Sequence, residues 1–383
     1  MSQKQTYDFA VVGAGVFGSW TAYQLARAGA KTLLLDAYGA GNSRASSAGE
    51  TRIIRMGYGA DEIYTRLSVR ALQLWQQFCE ETATRLFLRT GVLWLARDGD
   101  PIAMQTLATL ARVGVPHKKL SRAEIERRFP QMFCGDIDTA IYEPESGILM
   151  ARRAVQKVTE EFQAAGGTFQ IAEVEPPNGK GRLDSISTWG GETLSAGTYV
   201  FACGPWLPKV FPEVLDKRIF PTRQEVYFFG VPPGDRSYSS GNFPAWLDQR
   251  CLIYGIPDVE ARGFKIASDQ HGGTVDPDTV DRLAGETLEH IRTYLRLRFP
   301  ALRDAPVIET RVCQYENTSS GDFLIDRHPA LDNVWLVAGG SGHGFKHGPA
   351  VGEHVARLLL EGGKTEPRFS LATKETMQAR AVY

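Results

Sequence analysis

The first thirty-six residues leave the chain few folds to choose from. "YDFAVVGAGVFGSWTAYQLARAGAKTLLLDA" reads as strand, tight turn, helix and second strand, with an apolar run over 8–12 followed by Gly13, Gly15 and Gly18. Gly13 permits the sharp turn, Gly15 lets the backbone approach a pyrophosphate, and Gly18 brings helix and strand together. Val16, Phe17, Trp20, Leu25 and Ala28 bury much of the helix, Gly29 is placed to end it, and its N-terminal N–H groups face the phosphates. "KTLLLD" closes on Asp36, where a carboxylate accepts the hydrogens of an adenosine ribose diol. Tight turns use glycine freely, so the triplet alone says little. With two strands, a helix and a terminal acid around it, the pattern predicts dinucleotide binding but does not separate NAD from FAD.

Further along, a helix is predicted from Asp61 to about Thr84, with Ile63, Leu67, Ala71, Leu74, Trp75 and Phe78 on one stripe. "RTGVLWLAR" reads as a strand, and "SRAEIERRF" opens with a capping box from Ser121 to Glu124. An amphipathic helix, "ARRAVQKVTEEFQAAGG", precedes the strand "TFQIAEV", and "TYVFACGPW" is a buried strand running into Gly204. From about 218 to 318 strand-like runs dominate, with one helix expected over 276–299. "NVWLVAGGSGHGFKHGPAVGEHVARLLLEG" then gives strand, glycine-rich turn and helix. The expected architecture is α/β: a Rossmann-like nucleotide-binding domain over 1–86, 148–217 and 319–383, with a mixed-sheet substrate domain inserted as 87–147 and 218–318.

A formal charge of −1 over 383 residues gives no electrostatic case for nucleic acid. No run is long and apolar enough for a membrane helix, "MSQKQTYDF" lacks a secretory core, and "QARAVY" carries no peroxisomal or prenylation signal. Cys79, Cys134, Cys203, Cys251 and Cys313 are odd in number, far apart and without a C-x-x-C pair, which argues against a disulfide framework or zinc. A reducing cytoplasm is the expected compartment.

Five separated segments carry a family likeness: "VVGAGVFG", "GETRIIRMGYG", "GFKIAS", "CQYENTSSGDFLIDRHP" and "AGGSGHGFKHGPAVGE". In this order the chain resembles the FAD-dependent amine oxidases of the D-amino-acid-oxidase superfamily, in the group of monomeric sarcosine, N-methyltryptophan and pipecolate oxidases. The resemblance implies FAD, a small amino acid substrate, O2 as acceptor and a monomer. It places Cys313 where the family bonds its flavin covalently, and Lys265 where the family keeps a lysine for reaction with oxygen. Arg55 and Lys346 fall where the substrate carboxylate is gripped, Arg52 near the flavin face, and Tyr254 and Tyr315 on the substrate pocket. Cofactor contacts are implied at Ser43, Arg44, Ser47, Val174, Gly204, Trp206, Gly340, Gly342, His343 and Gly344.

Two departures concern the substrate. Ser47 and Ala48 stand where close sarcosine oxidases have consecutive histidines, and Asp269 replaces a histidine four residues after Lys265. Fructosyl-amino-acid oxidases carry an acid at a comparable spacing, so a glycated amino acid is the alternative substrate, and a flavin dehydrogenase with another acceptor is the alternative reaction. Asp269 is left open among Arg52, Lys265 and a cationic substrate. Read alone, Cys313 is a packed thiol, Lys265 an outward lysine on an alternating strand, and Lys346 a solvated first-turn lysine. Arg52 and Arg55 share a side only if the backbone between them leaves the strand conformation.

Overall fold

The computed structural model describes residues 6–377. Its nucleotide sheet has Thr6–Val12 at the centre, parallel to Thr32–Asp36 on one side and Thr193–Phe201 on the other. Thr168–Ile171 extends one edge, Val334–Ala338 and Leu324–Arg327 extend the other, and Ile186–Ser187 pairs with Thr193–Phe201 off this path. The carboxyl ends of five parallel strands, at Val12, Asp36, Ile171, Phe201 and Ala338, therefore open on one edge. In doubly wound sheets that edge holds the ligand.

The glycines behave as their spacing requires. Gly13 has φ +104°, and a Cβ there would lie 2.3 Å from the Ala202 carbonyl oxygen. A Cβ on Gly18 would lie 1.8 Å from the Gly13 carbonyl oxygen, so the helix Val16–Arg27 approaches its own turn only because position 18 is bare.

An eight-stranded sheet forms the other half, ordered Val307–Thr318, Ile219–Phe229, Phe264–Ser268, Ile253–Ile256, Ala245–Asp248, Val92–Ala96, Thr139–Glu143 and Lys118–Ser121. All of these strands fall within 87–147 or 218–318. A small sheet of Arg52–Ile54, Gly147–Leu149 and Phe87–Leu88 lies at the seams between segments.

The helix Glu62–Glu81 buries Ala71, Leu74, Trp75 and Phe78, with Ile63 and Leu67 half-buried beside them. Ser121 and Glu124 form the capping box. The helix expected over 276–299 is shorter, Leu288–Arg298. Its polar first half is occupied elsewhere: Asp276 and Asp278 bind Lys209, and Asp278 accepts the Trp206 indole N–H at 2.7 Å. The N–H groups of Gly285, Glu286 and Thr287 donate to the Glu225 carboxylate from a neighbouring strand. Helix-start donors satisfied by a distant acid leave no local trace in the sequence. The terminal "QARAVY" lies outside the described residues. Among those described, no helix is long and apolar enough to cross a membrane.

Candidate active site

Two cavities meet at the open edge of the nucleotide sheet. The larger, of about 370 Å³, is lined by Gly13, Gly15, Asp36, Ser47, Val174, Gly204, Trp206, Gly340, Gly342 and Gly344, all expected there from sequence. Asn42, Ala45, Ser46, Gln314 and Glu316 also line it, and the sequence reading had missed them. Ser43 and Arg44 do not reach it. Both are exposed, and the Arg44 guanidinium stacks 4.6 Å over the Tyr38 ring while donating to its Oη at 3.0 Å. Gly18 is a packing position rather than a lining one.

The polar groups of this cavity suit a dinucleotide. The Asp36 carboxylate is organised by the Ala14 N–H at 2.8 Å and the Tyr38 N–H at 2.9 Å, while burial pushes it above the usual range against those donors. Ser47 Oγ accepts the Val16 N–H at 2.9 Å at the start of the first helix. Three buried atoms on lining residues, Ser46 Oγ, Gln314 Oε1 and Glu316 Oε2, have no hydrogen-bond partner among the described residues. Buried polar atoms are rarely left so, and a cofactor rich in hydroxyl groups, which donate as well as accept, would satisfy them. The residues present therefore fit FAD.

The smaller cavity, of about 70 Å³, collects Arg55, Tyr254, Asp269, Cys313 and Lys346 with Gln224, His271 and His343. Arg52, Tyr315, Ser341, Gly342 and Phe345 line both cavities, so the two abut. The strand Arg52–Ile54 stops before Arg55, which explains how Arg52 and Arg55 reach one cavity despite their spacing. The buried Arg55 guanidinium lies 4.5 Å from both the Tyr58 and Trp94 rings and donates to the Gly57 carbonyl. Lys346 is buried too, unlike the solvated lysine that the residue read alone would suggest. Its Nζ donates to Tyr58 Oη at 2.6 Å and to the His343 carbonyl at 2.9 Å. Burial, with Arg55 beside it, pushes this amine well below the usual lysine range. Tyr58 Oη also lies 2.8 Å from His347 Nε2 and 3.2 Å from His343 Nδ1, so it organises the turn that carries Lys346.

Asp269 pairs with neither Arg52 nor Lys265. Tyr315 Oη donates to its Oδ1 at 3.4 Å, and burial raises it against the pull of Arg55 and Lys346. Burial pushes Tyr254 up to about 12 and His271 down to about 4, so both enter neutral chemistry as uncharged groups. Tyr315 rises further still, again by burial.

Cys313 lies opposite Gln224 on the paired strands. Arg52 Nη2 is 3.6 Å from its Sγ, which also sits 3.7 Å from the Ser46 carbonyl oxygen. The same guanidinium donates to the Ala48 and Ser46 carbonyls at 2.7 and 2.9 Å, which fixes it between the two cavities. Lys265 does not point outward as an alternating strand would allow. It is 2% exposed, and its Nζ donates to the Thr51 carbonyl at 2.8 Å, next to Arg52 in sequence. Burial, then the Arg52 charge, pushes it well below the usual lysine range. Lys265 lines neither of the two cavities; it borders a small gap behind Thr51. Among the described residues no cluster of His, Cys, Asp and Glu could hold a metal ion.

Comparison with known proteins gives the family. The chain is 32% identical over 396 residues to a monomeric sarcosine oxidase from Bacillus sp. (strain B-0618), covering 98% of this chain and 99% of the relative. It is 30% identical over 380 residues to an N-methyl-L-tryptophan oxidase of Yersinia pestis (strain Pestoides F), covering 96% and 99%. The fold superposes on a modified fructosyl peptide oxidase from Aspergillus nidulans with TM-score 0.85 at 19% identity, over 98% of this chain and 96% of that one. Residues 8–358 match the FAD dependent oxidoreductase family, and the chain belongs to that family.

Proposed function

We propose that the protein oxidises the C–N bond of an N-substituted or cyclic secondary amino acid, of the sarcosine, N-methyl amino acid or pipecolate type, with O2 as acceptor. The observation that carries this reading is the smaller cavity, where Arg55, Lys346 and Asp269 converge beside a cavity fit for FAD and share five of its wall residues. Loss of two electrons and two protons converts the amine to an imine, which water hydrolyses to an amine and a carbonyl compound. The electrons and protons reduce O2 to H2O2. Bound FAD supplies the two-electron acceptor.

The chain's own groups bind and orient. Arg55, clamped between two rings, offers its fork to the substrate carboxylate. The carboxylate would draw the buried Lys346 amine back to its charged form, adding a second grip. Tyr254 and Tyr315 wall the pocket with neutral hydroxyls, and Tyr315 steadies Asp269. Lys265 supplies a buried donor for charge developing on oxygen, with Arg52 spanning the two cavities. Cys313 is proposed to hold FAD covalently, supported by its place beside Arg52. The two sheets are proposed as two domains with the boundaries given above, in a monomeric cytoplasmic enzyme. Asp269 inside the cavity also suits a polyol substituent, which favours a glycated amino acid as the second reading.

Anaerobic addition of sarcosine, other N-methyl amino acids, pipecolate and glycated amino acids tests the proposal. At least one of the first three should bleach the flavin band, and air should restore it with release of H2O2. Bleaching by glycated amino acids alone selects the second reading, and bleaching by none removes both. Reoxidation by dyes but not by air would make the enzyme a dehydrogenase. Acid precipitation should leave the flavin in the pellet; flavin in the supernatant would remove only the Cys313 linkage.

A further inference from the structure

Glu316 has no part in the reaction above, yet its placement is unusual. It follows Tyr315 on the strand Val307–Thr318 and is 8% exposed. Oε1 accepts the Gly340 N–H at 3.3 Å, whereas Oε2 is buried with no hydrogen-bond partner among the described residues. The side chain lines the larger cavity, and Oε2 lies 3.9 Å from where a Cβ on Gly204 would stand. Glu316 thus reaches from the glycine turn 339–344 to the carboxyl end of the nucleotide sheet.

Glu316 borders both ends of the site: it follows Tyr315 at one, and at the other it faces Gly204, two residues after the Ala202 carbonyl that packs on Gly13. The start of the first helix, at Gly15 and Val16, is the phosphate pole. Arg52, Tyr315, Gly342 and Phe345, shared with the substrate cavity, mark the ring pole. What spans the interval in FAD is a polyol chain. One oxygen accepts an N–H and the second has nothing to meet, and a polyol hydroxyl, which both donates and accepts, would satisfy it whether the carboxyl is ionised or not. Burial pushes Glu316 up to about 7, opposed by the N–H groups of Gly340 and Gly339. The titratable groups facing it are Cys203, itself raised by burial, with Asp36 beyond; neither offers a positive charge to ionised Glu316.

We infer that Glu316 is a cofactor-binding residue whose Oε2 shares a hydrogen bond with a hydroxyl of the ribityl linker of FAD. The inference rests on the FAD reading of the larger cavity.

The test titrates FAD and ADP, which ends before the ribityl linker, into full-length protein carrying Cys313→Ser so that binding is reversible. Glu316→Ala should weaken FAD binding roughly tenfold, the worth of one hydrogen bond, and leave ADP binding unchanged. Glu316→Gln, which keeps a hydrogen-bonding group in place, should stay within about threefold of the parent. Equal FAD affinity in all three proteins would overturn the inference. So would loss of ADP binding in Glu316→Ala, which would make the residue part of the scaffold. A parent that binds ADP but no FAD would instead overturn the FAD reading itself.

Discussion

Two buried charge clusters in this chain are built on opposite terms. Asp248, fully buried, receives Arg97 at 2.5 Å, Arg298 at 3.3 Å and the Tyr294 hydroxyl at 3.0 Å. Asp136 meets the same two arginines at 2.6 and 2.8 Å. Burial alone would raise Asp248, but Arg97 and Arg298 outweigh it and hold the carboxyl low. Lys346, in the smaller cavity, and Lys265, behind Thr51, are nearly as buried, but their hydrogen bonds go to neutral oxygens of Thr51, Tyr58 and His343. Charge compensated inside the protein holds the fold together. Buried amines without an acidic partner gather at functional sites, which is why the proposed function uses both.

Breaking the compensated cluster should have the largest effect. Asp248→Ala leaves Arg97 and Arg298 facing each other and should cost about 3–5 kcal/mol of stability, read as a lowered denaturation midpoint. A midpoint equal to wild type would show that water relieves these charges and that the contrast is false. Lys265→Met sharpens the comparison from the other side. Removing a buried amine that has no acidic partner should leave the midpoint within about 2 °C of wild type or raise it. The same variant should accept electrons from substrate normally yet react with O2 at least roughly tenfold more slowly in stopped-flow reoxidation. Normal oxygen reactivity would remove Lys265 from the chemistry.

Acid gives the smallest effect. Burial raises Asp136, but Arg298 and Arg97 together bring it down to about 2. A carboxyl depressed in the folded state stabilises fully above its unfolded pKa of about 4, and that contribution is lost as pH falls through about 2. Asp136→Asn should therefore flatten the acid edge of a stability profile below about pH 4 and leave the profile near neutrality parallel to wild type. An unchanged acid edge would mean that the pair is too exposed to matter.

How much of this was legible depends on how local the signal is. The Gly13–Asp36 unit reads directly because turn, helix and strand each leave a mark within a few residues. The capping box at Ser121 reads for the same reason. The first half of the helix expected over 276–299 failed because Glu225, some sixty residues earlier, holds its N–H groups. Ser43 and Arg44, which the resemblance implies at the cofactor, are exposed, and the Arg44 side chain settles on Tyr38. Gln224 and His271 carry no motif, and Glu316, though inside the segment that begins at Cys313, resembles any solvent-facing polar residue on a strand. Tyr58 had a faint signal, an aromatic between two glycines in "MGYG", but its contacts with His343, His347 and Lys346 come from far along the chain.

By itself the sequence determined a nucleotide-binding edge and the presence of particular chemical groups: a glycine turn, a ribose-side acid, five cysteines, and lysines and arginines in apolar settings. Periodicity and turn chemistry act over a few residues, so these were already decided in the chain. Only the tertiary structure decided that Arg55, Asp269 and Lys346 share one cavity, that Lys265 turns inward to Thr51, and that Glu316 is left with an unanswered oxygen. Those facts depend on which strands meet and on how deeply each group is taken from water, which neighbours in sequence do not set.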